Sequence, residues 1–280
     1  MKKYIFISGI STGIGFVLAK ALSTEFTIIG TLRAKPDKQS FISEILDLIP
    51  IYMDLNNGES ITHSLQEFLS ENPEIKLFAL INNAGIAVPG PIIELPIADL
   101  ERQMRVNLTS QIQIIQLLFP RLQQGESRII NISSVSGLFA SPFLGAYAAS
   151  KFALEGITDA LRRELMLLGI KVILIEPGPL KTLIWSKNLG VTDQFPNSIF
   201  KKYLGKANDI ILATESSALP VEKIIAPILH ALKHTKPKNR YLIHRHPLLI
   251  RILTKFIPSQ WVDKLVVKNL NSQKKKFRPI

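Results

Sequence analysis

A chain of 280 residues with 46% apolar residues is long enough for one sizeable domain and apolar enough to pack a core, which excludes a disordered chain. It has no cysteine, so disulfides, a cysteine nucleophile and thiolate-ligated zinc are excluded, no metal site is expected, and a reducing, cytoplasmic setting fits. The net charge of +12 lies in the last stretch, where residues 230–280 hold thirteen Lys/Arg against Asp263 alone, while residues 1–229 carry 21 of each sign.

Met1-Lys2-Lys3 and the apolar residues after it imitate a signal peptide, but Gly9, Gly13 and Gly15 break the run and no small-residue cleavage site follows. The segment is therefore read as a buried first strand. Six short apolar runs follow the pattern of parallel strands: Tyr4–Ser8, Thr27–Thr31, Ile49–Met53, Leu77–Asn82, Ser127–Ile132 and Lys171–Glu176. Between them, helices are predicted at Gly13–Glu25, Asp37–Leu48, Gly58–Ser70, Asp99–Leu122 and Ala146–Leu168. This alternation predicts an α/β fold, a doubly wound parallel sheet of the Rossmann type.

Residues 178–218 lack sustained periodicity and are read as a mobile substrate loop. A helix from Pro220 to Lys233 and a last strand at Tyr241–Ile243 come next. The catalytic domain is placed at 1–245, with a basic amphipathic extension at 246–280. In that extension, Pro247–Leu270 reads as two short helices broken at Pro258.

The first strand runs into Ser8-Gly9-Ile10-Ser11-Thr12-Gly13-Ile14-Gly15 and a helix. Glycines there allow a tight turn and let a pyrophosphate approach bare backbone, while the helix N-terminus offers free N–H groups and a positive dipole. Tyr147 and Lys151, four apart on a helix, project from one face. A phenol is a poor base at neutrality, and a neighbouring ammonium lowers its pKa enough to exchange protons with an alcohol or ketone. Ser134, just past the fifth strand, is placed to hydrogen-bond a substrate oxygen, or else merely to cap a turn.

Together these residues resemble the single-domain branch of the short-chain dehydrogenase/reductase family. The family's Thr-Gly-x-x-x-Gly-x-Gly turn is matched from Ser8 to Gly15, with serine in place of threonine, and its Asn-Asn-Ala-Gly signature by Asn82, Asn83, Ala84 and Gly85. Asn107 matches the helix asparagine, Ser134, Tyr147 and Lys151 match the catalytic set, and Pro177-Gly178 through Thr182 match the segment after the sixth strand. The resemblance covers roughly residues 1–185 and implies hydride transfer between a nicotinamide and a carbonyl or secondary alcohol. It implies that Tyr147 is the general acid or base, that Lys151 binds the ribose and tunes the tyrosine, and that Ser134 orients the carbonyl. Asn107 would hold a water linking Lys151 to solvent, and Asp54-Leu55 would meet the adenine. Dimers or tetramers through the helices near 99–122 and 146–168 follow by the same analogy.

At the end of the second strand, Leu32 stands where the family's NAD enzymes carry aspartate, and Arg33 follows. A guanidinium grips a 2′-phosphate bidentately, so NADP(H) is expected as the preferred cofactor, with NAD(H) possible. The basic tail leaves several readings open: helices packed on the body, a peripheral membrane contact through 247–270, a lid over an apolar cleft, or an oligomer contact. Nucleic acid is not expected, since the tail lacks regularly interleaved aromatics and the body is neutral. Phe139, Phe143 and Leu144 between Ser134 and Tyr147, with Leu183, Ile184 and Trp185 in the loop, suggest a lipophilic substrate. The tail is similar to that of members acting on steroids and retinoids. A reductase of 3-oxoacyl thioesters and a non-catalytic NADP-binding sensor or scaffold are the alternatives.

Overall fold

The computed structural model describes residues 3–35, 42–182, 184, 190–206 and 216–271. Seven parallel strands form one sheet in the order β3-β2-β1-β4-β5-β6-β7. They are β1 Lys3–Ile7, β2 Phe26–Leu32, β3 Leu48–Tyr52, β4 Leu77–Asn82, β5 Arg128–Ile132, β6 Lys171–Pro177 and β7 Arg240–Ile243. Each lies within about a residue of its sequence expectation.

Strand alternation sends successive side chains to opposite faces, and both faces are covered. Ile5 and Ile7 pack with Leu18 of α1 (Gly13–Leu22) and Ile228 of α7 (Ile225–Lys233). Phe6, between them, packs on the other side with Ile61 and Leu65 of α2 (Gly58–Glu71) and Ile114 and Leu118 of α4 (Ser110–Leu118). The strand order reverses between β1 and β4, which opens a crevice beyond their carboxyl ends.

The structure corrects several helix expectations. No helix spans Asp37–Leu48: residues 36–41 lie outside the described residues, Ile42–Glu44 make one 3-10 turn, and Leu48 already belongs to β3. The helix expected at Asp99–Leu122 comes in three pieces, α3 (Ile97–Met104), a π turn at Arg105–Thr109, and α4. Pro120 closes it through a 3-10 turn, since a proline cannot continue the hydrogen-bond ladder. The next helix, α5, covers Gly145–Leu165. The segment after Pro177 is not featureless: Leu180 bridges Leu219, α6 occupies Val191–Gln194, and residues 201–206 are helical. Leu183 and Trp185 lie outside the described residues.

Past β7, α8 (Pro247–Lys255) and α9 (Ser259–Asn271) flank Pro258. They pack only in part. Ile250 is buried, whereas Leu248, Leu249, Ile252, Trp261 and Leu265 are exposed. Among the described residues no helix is long and apolar enough to cross a membrane.

Candidate active site

The turn after β1 is built for close approach. Gly9 and Gly13 have φ of +70° and +60°, a region that favours glycine. A methyl group on Gly15 would lie 2.0 Å from the Gly9 carbonyl oxygen and 2.5 Å from Asn83 Nδ2, so only glycine fits. Ser11 and Thr12 are exposed. Thr12 precedes α1 without a side-chain cap, and the first turn holds no acidic residue. By contrast, Asn57 caps α2 by accepting hydrogen bonds from the Glu59 and Ser60 amides. The α1 terminus therefore keeps the free N–H groups and positive dipole that suit a pyrophosphate.

Ser8 ties this turn to the Asn-Asn-Ala-Gly segment beyond β4. Its hydroxyl donates to Gln111 Oε1 (3.1 Å) and accepts from the Asn83 and Ala84 amides, both at 3.0 Å. Asn83 Nδ2 returns the contact by donating to the Ser8 and Gly9 carbonyls, each at 3.0 Å. The Gly9 amide donates to Thr31 Oγ1 at 2.8 Å. Neither Gln111 nor Thr31 is a site residue in the sequence reading. They do not stand out in the sequence, because polar residues recur along both elements: Ser110, Gln113 and Gln116 beside Gln111, and Thr27 beside Thr31.

Gly85 borders the catalytic set, for a methyl group there would stand 3.3 Å from Asn107 Oδ1 and 3.7 Å from Lys151 Nζ. Lys151 is buried and donates to the Ile132 carbonyl at 3.0 Å. Burial lowers its pKa to about 8, and the charge of Glu155 opposes the fall. Tyr147 is buried as well, with Lys151 Nζ 5.8 Å from its ring centroid. Burial pushes the phenol above its ordinary value, and a hydrogen bond with Ser134 opposes this. This is opposite in direction to the lowering expected from a neighbouring lysine. In the protein alone, burial prevails and the tyrosine holds its proton.

Ser134 meets both of its sequence readings. It caps the 3-10 turn Val135–Gly137, accepting from the Ser136 amide at 3.1 Å, and it bonds to Tyr147. Asn107 sits in the π turn and is fully buried. Its Oδ1 accepts from the Ile86 amide at 2.8 Å, and its Nδ2 donates to the Ile86 carbonyl at 2.8 Å and to Ser150 Oγ at 3.0 Å. The side-chain amide is thus committed to protein groups.

Leu32 closes β2 as a buried side chain, and Arg33 stands exposed beside it. Asp54 is exposed; its Oδ1 accepts from the Asn56 amide at 3.0 Å. The Leu55 carbonyl takes a hydrogen bond from Ser110 Oγ at 2.5 Å. Pro177 ends β6, the Gly178 amide donates to the Ile243 carbonyl at 2.8 Å, and Thr182 faces Gly13 across about 3.5 Å from that glycine's would-be methyl. Apart from Asn107 in the π turn and Tyr147 and Lys151 on α5, the sequence-predicted residues therefore lie along the carboxyl ends of β1 to β6. Ile14 is in the first turn of α1.

On the substrate side, Phe143 adopts φ of +65°, strained for a residue with a side chain, and its carbonyl accepts from the Gly90 amide at 2.8 Å. Its ring packs edge-on to Phe200 with centroids 5.8 Å apart.

A parallel sheet with an open glycine turn at its switch point, and a buried tyrosine and lysine beside it, marks a dinucleotide-dependent oxidoreductase. The family model described as short chain dehydrogenase matches residues 3–189. The chain is 32% identical over 275 residues to the NADPH-dependent 3-dehydrocapnine reductase of Ornithobacterium rhinotracheale, covering 96% of this chain and 97% of that one. Among solved structures it resembles a short chain dehydrogenase from Burkholderia cenocepacia in complex with NADP (TM-score 0.69, 21% identity, 95% and 98% covered). It also resembles a short chain dehydrogenase/reductase from Burkholderia phymatum in complex with NAD (TM-score 0.74, 18% identity, 94% and 95% covered). The chain belongs to the short-chain dehydrogenase/reductase family and is an NAD(P)-dependent oxidoreductase.

Proposed function

We propose that the protein is an NADP(H)-preferring enzyme that reduces a carbonyl, or oxidises the matching secondary alcohol, on a lipophilic substrate. The observation that carries this reading is the buried Ser134–Tyr147 hydrogen bond beside Lys151. The cradle of Gly9, Gly13 and Gly15 and the uncapped α1 terminus fit a dinucleotide pyrophosphate. Ser11, Thr12, Ile14, Asn83, Ala84, Gly85, Pro177, Gly178 and Thr182 would frame the rest of the cofactor, with Asp54 and Leu55 toward the adenine. When bound, the nicotinamide supplies the two-electron chemistry, as a hydride.

In reduction, Tyr147 donates to the developing alkoxide the phenolic proton that burial keeps on it at neutral pH, and in oxidation it takes the proton back. Ser134 orients the substrate oxygen and stabilises its charge. Lys151 binds the ribose hydroxyls and favours the phenolate once Tyr147 has given up its proton. Asn107 holds the Ile86 backbone and Ser150, and so fixes the floor on which Lys151 rests. Its family role of holding a water to solvent would fall to its main chain, since its amide is committed.

Cofactor preference rests on Arg33, which is exposed and has no partner among the described residues, next to an apolar Leu32. The NADPH-dependent relative supports the same choice. NAD(H) stands as a second, weaker cofactor. Phe143 and Phe200 favour an apolar substrate. Exposed Phe152 and Ile157 on α5 favour a homo-oligomer through that helix. Residues 1–245 act as the catalytic unit and 246–280 as an extension of a cytoplasmic protein. The basic tail favours one second reading, a reductase of 3-oxoacyl thioesters presented by an acidic carrier.

The test is cofactor consumption by the full chain with steroid, retinoid and 3-oxoacyl thioester ketones, under NADPH and under NADH. Turnover of the apolar ketones with NADPH, lost by about 10²–10⁴-fold in Tyr147→Phe with NADPH binding retained, supports the proposal. Preference for the thioesters selects the second reading. NADPH binding without turnover of any ketone would make the chain a sensor or scaffold.

A further inference from the structure

The two helices beyond residue 245 repeat one motif. Leu248, Arg251, Ile252 and Lys255 on α8 are spaced i, i+3, i+4, i+7, and Trp261, Lys264, Leu265 and Lys268 on α9 follow the same order of apolar, basic, apolar, basic. That spacing puts each set of four on one helix face. Both faces look outward: Leu248 is 72% exposed and Trp261 71%, and Phe256, just past the last turn of α8, is 77% exposed. The helices are held to the rest of the chain by their other sides, through buried Ile250 and half-buried Leu253, Val262 and Val266.

We propose that this double face docks the protein on an anionic lipid surface. Large apolar side chains left in water on neighbouring turns mark an interaction surface rather than ordinary scatter. Here each is bracketed by a cation whose long stem reaches past the apolar layer, so that side chain and ammonium meet acyl chain and phosphate together. Trp261 supplies the amphipathic ring that favours the headgroup level. The charge argues against a second copy of this chain as the occupant. Between residues 245 and 271, Arg245, Arg251, Lys255, Lys264 and Lys268 face Asp263 alone, so the same face on a second copy would be repelled. Residues 272–280 add four Lys/Arg and no acid, which strengthens the attraction to anions.

The docking face is connected to the substrate side. Tyr203 Oη donates to Asn271 Oδ1 at 3.1 Å, and Lys206 Nζ donates to the Leu270 carbonyl at 2.8 Å, which ties the end of α9 to the helical residues 201–206. Phe200, at the head of that segment, touches Phe143. A lipophilic substrate would thus enter from the bilayer beside its own loop. That consequence rests on the proposed substrate class, whereas vesicle binding does not.

The experiment is flotation of the full chain with vesicles of phosphatidylcholine alone and of a two-to-one phosphatidylcholine–phosphatidylglycerol mixture, at low and high salt. Trp185→Phe leaves Trp261 as the sole tryptophan and reports insertion. The expected result is binding to the anionic vesicles only, weakened by salt, with a blue shift of Trp261 emission. Ile252→Glu/Phe256→Glu should weaken it at least about tenfold, as should the exposed charge reversal Arg251→Glu/Lys264→Glu, with NADPH binding unchanged in both. The proposal falls if the anionic vesicles are ignored, if neutral vesicles bind equally, or if neither pair of substitutions alters binding. It falls equally if the apolar pair converts an oligomer to a monomer while vesicles are ignored, which would make the face an interface between copies.

Discussion

Arg240 on β7 forms an ion pair with Glu155 on α5, four residues beyond Lys151 on the same helix. The guanidinium also reaches Glu176 on β6 at 2.6 Å and Asp159 at 3.0 Å, so one side chain joins the last strand to the helix that carries Tyr147 and Lys151. Glu155 and Glu176 are buried carboxylates, and removing their shared cation strands both.

Arg240→Leu should therefore destabilise the protein by about 2 kcal/mol at pH 8, a figure discounted because the Arg240 side chain keeps 32% of its surface in water. Burial, with the charge of Glu176, raises the Glu155 pKa to about 7 even against Arg240. The native state therefore holds a proton that the unfolded chain releases near its ordinary lower pKa. That contribution is complete at acid pH and is lost as pH rises through 7. Urea titrations should accordingly give a smaller penalty for Arg240→Leu at pH 6 than at pH 8, and equal penalties would discard the assignment.

Lys151 makes a second prediction about pH. Burial disfavours its ammonium and brings the pKa to about 8, so the lysine is charged below that value and neutral above it. Its support of the phenolate and of the ribose hydroxyls is then lost as pH rises through 8. The kcat/KM for ketone reduction should fall about tenfold per pH unit beyond that point, and Lys151→Arg should move the fall upward. A profile flat to pH 10 would refute the role.

The fold was legible in the sequence because apolar strands of a doubly covered sheet leave an unambiguous alternation. The glycine turn and the Tyr-x-x-x-Lys spacing could be read because both are local patterns, and the resemblance to the family assigned them their roles. What was not legible is long-range. Glu155 and Arg240 lie 85 positions apart, and neither declares its partner along the chain. Gln111 reads as one of several polar residues on its helix until β1 and β4 bring Ser8 and Ala84 against it. The helix expected at Asp37–Leu48 failed because its apolar residues suit a helix and a turn running into an edge strand equally well. The upward shift of Tyr147 is not legible because burial, which outweighs the Ser134 hydrogen bond, has no sequence signature.

Arg33 sets the third prediction. It follows β2, exposed, beside a buried Leu32 that offers no carboxylate to a ribose diol. Arg33→Ala should lower the NADPH-over-NADH preference by about tenfold or more, through loss of a charge-assisted contact to the 2′-phosphate, with NADH kinetics little changed. Paired kcat/KM measurements check it. An unchanged ratio would mean that another cation reads the phosphate.

Ser8 supports the last prediction, and it separates a hydroxyl's role from that of its volume. The side chain is fully buried, donates to Gln111 and accepts from the amides of Asn83 and Ala84. Ser8→Ala leaves those two amides and the Gln111 carbonyl oxygen without that partner in a site too tight for easy repair. The cost should be about 1–3 kcal/mol in stability. Because the same amides belong to the segment that borders the cofactor crevice, NADPH affinity should fall with it, whereas a purely packing defect would lower stability alone. Ser8→Thr restores the hydroxyl that the family places at this position. It should recover affinity even if the added methyl leaves a small deficit in stability. Calorimetric titration with NADPH alongside urea denaturation distinguishes the two, and an alanine variant that binds NADPH normally would show that the hydroxyl serves the fold and not the cofactor.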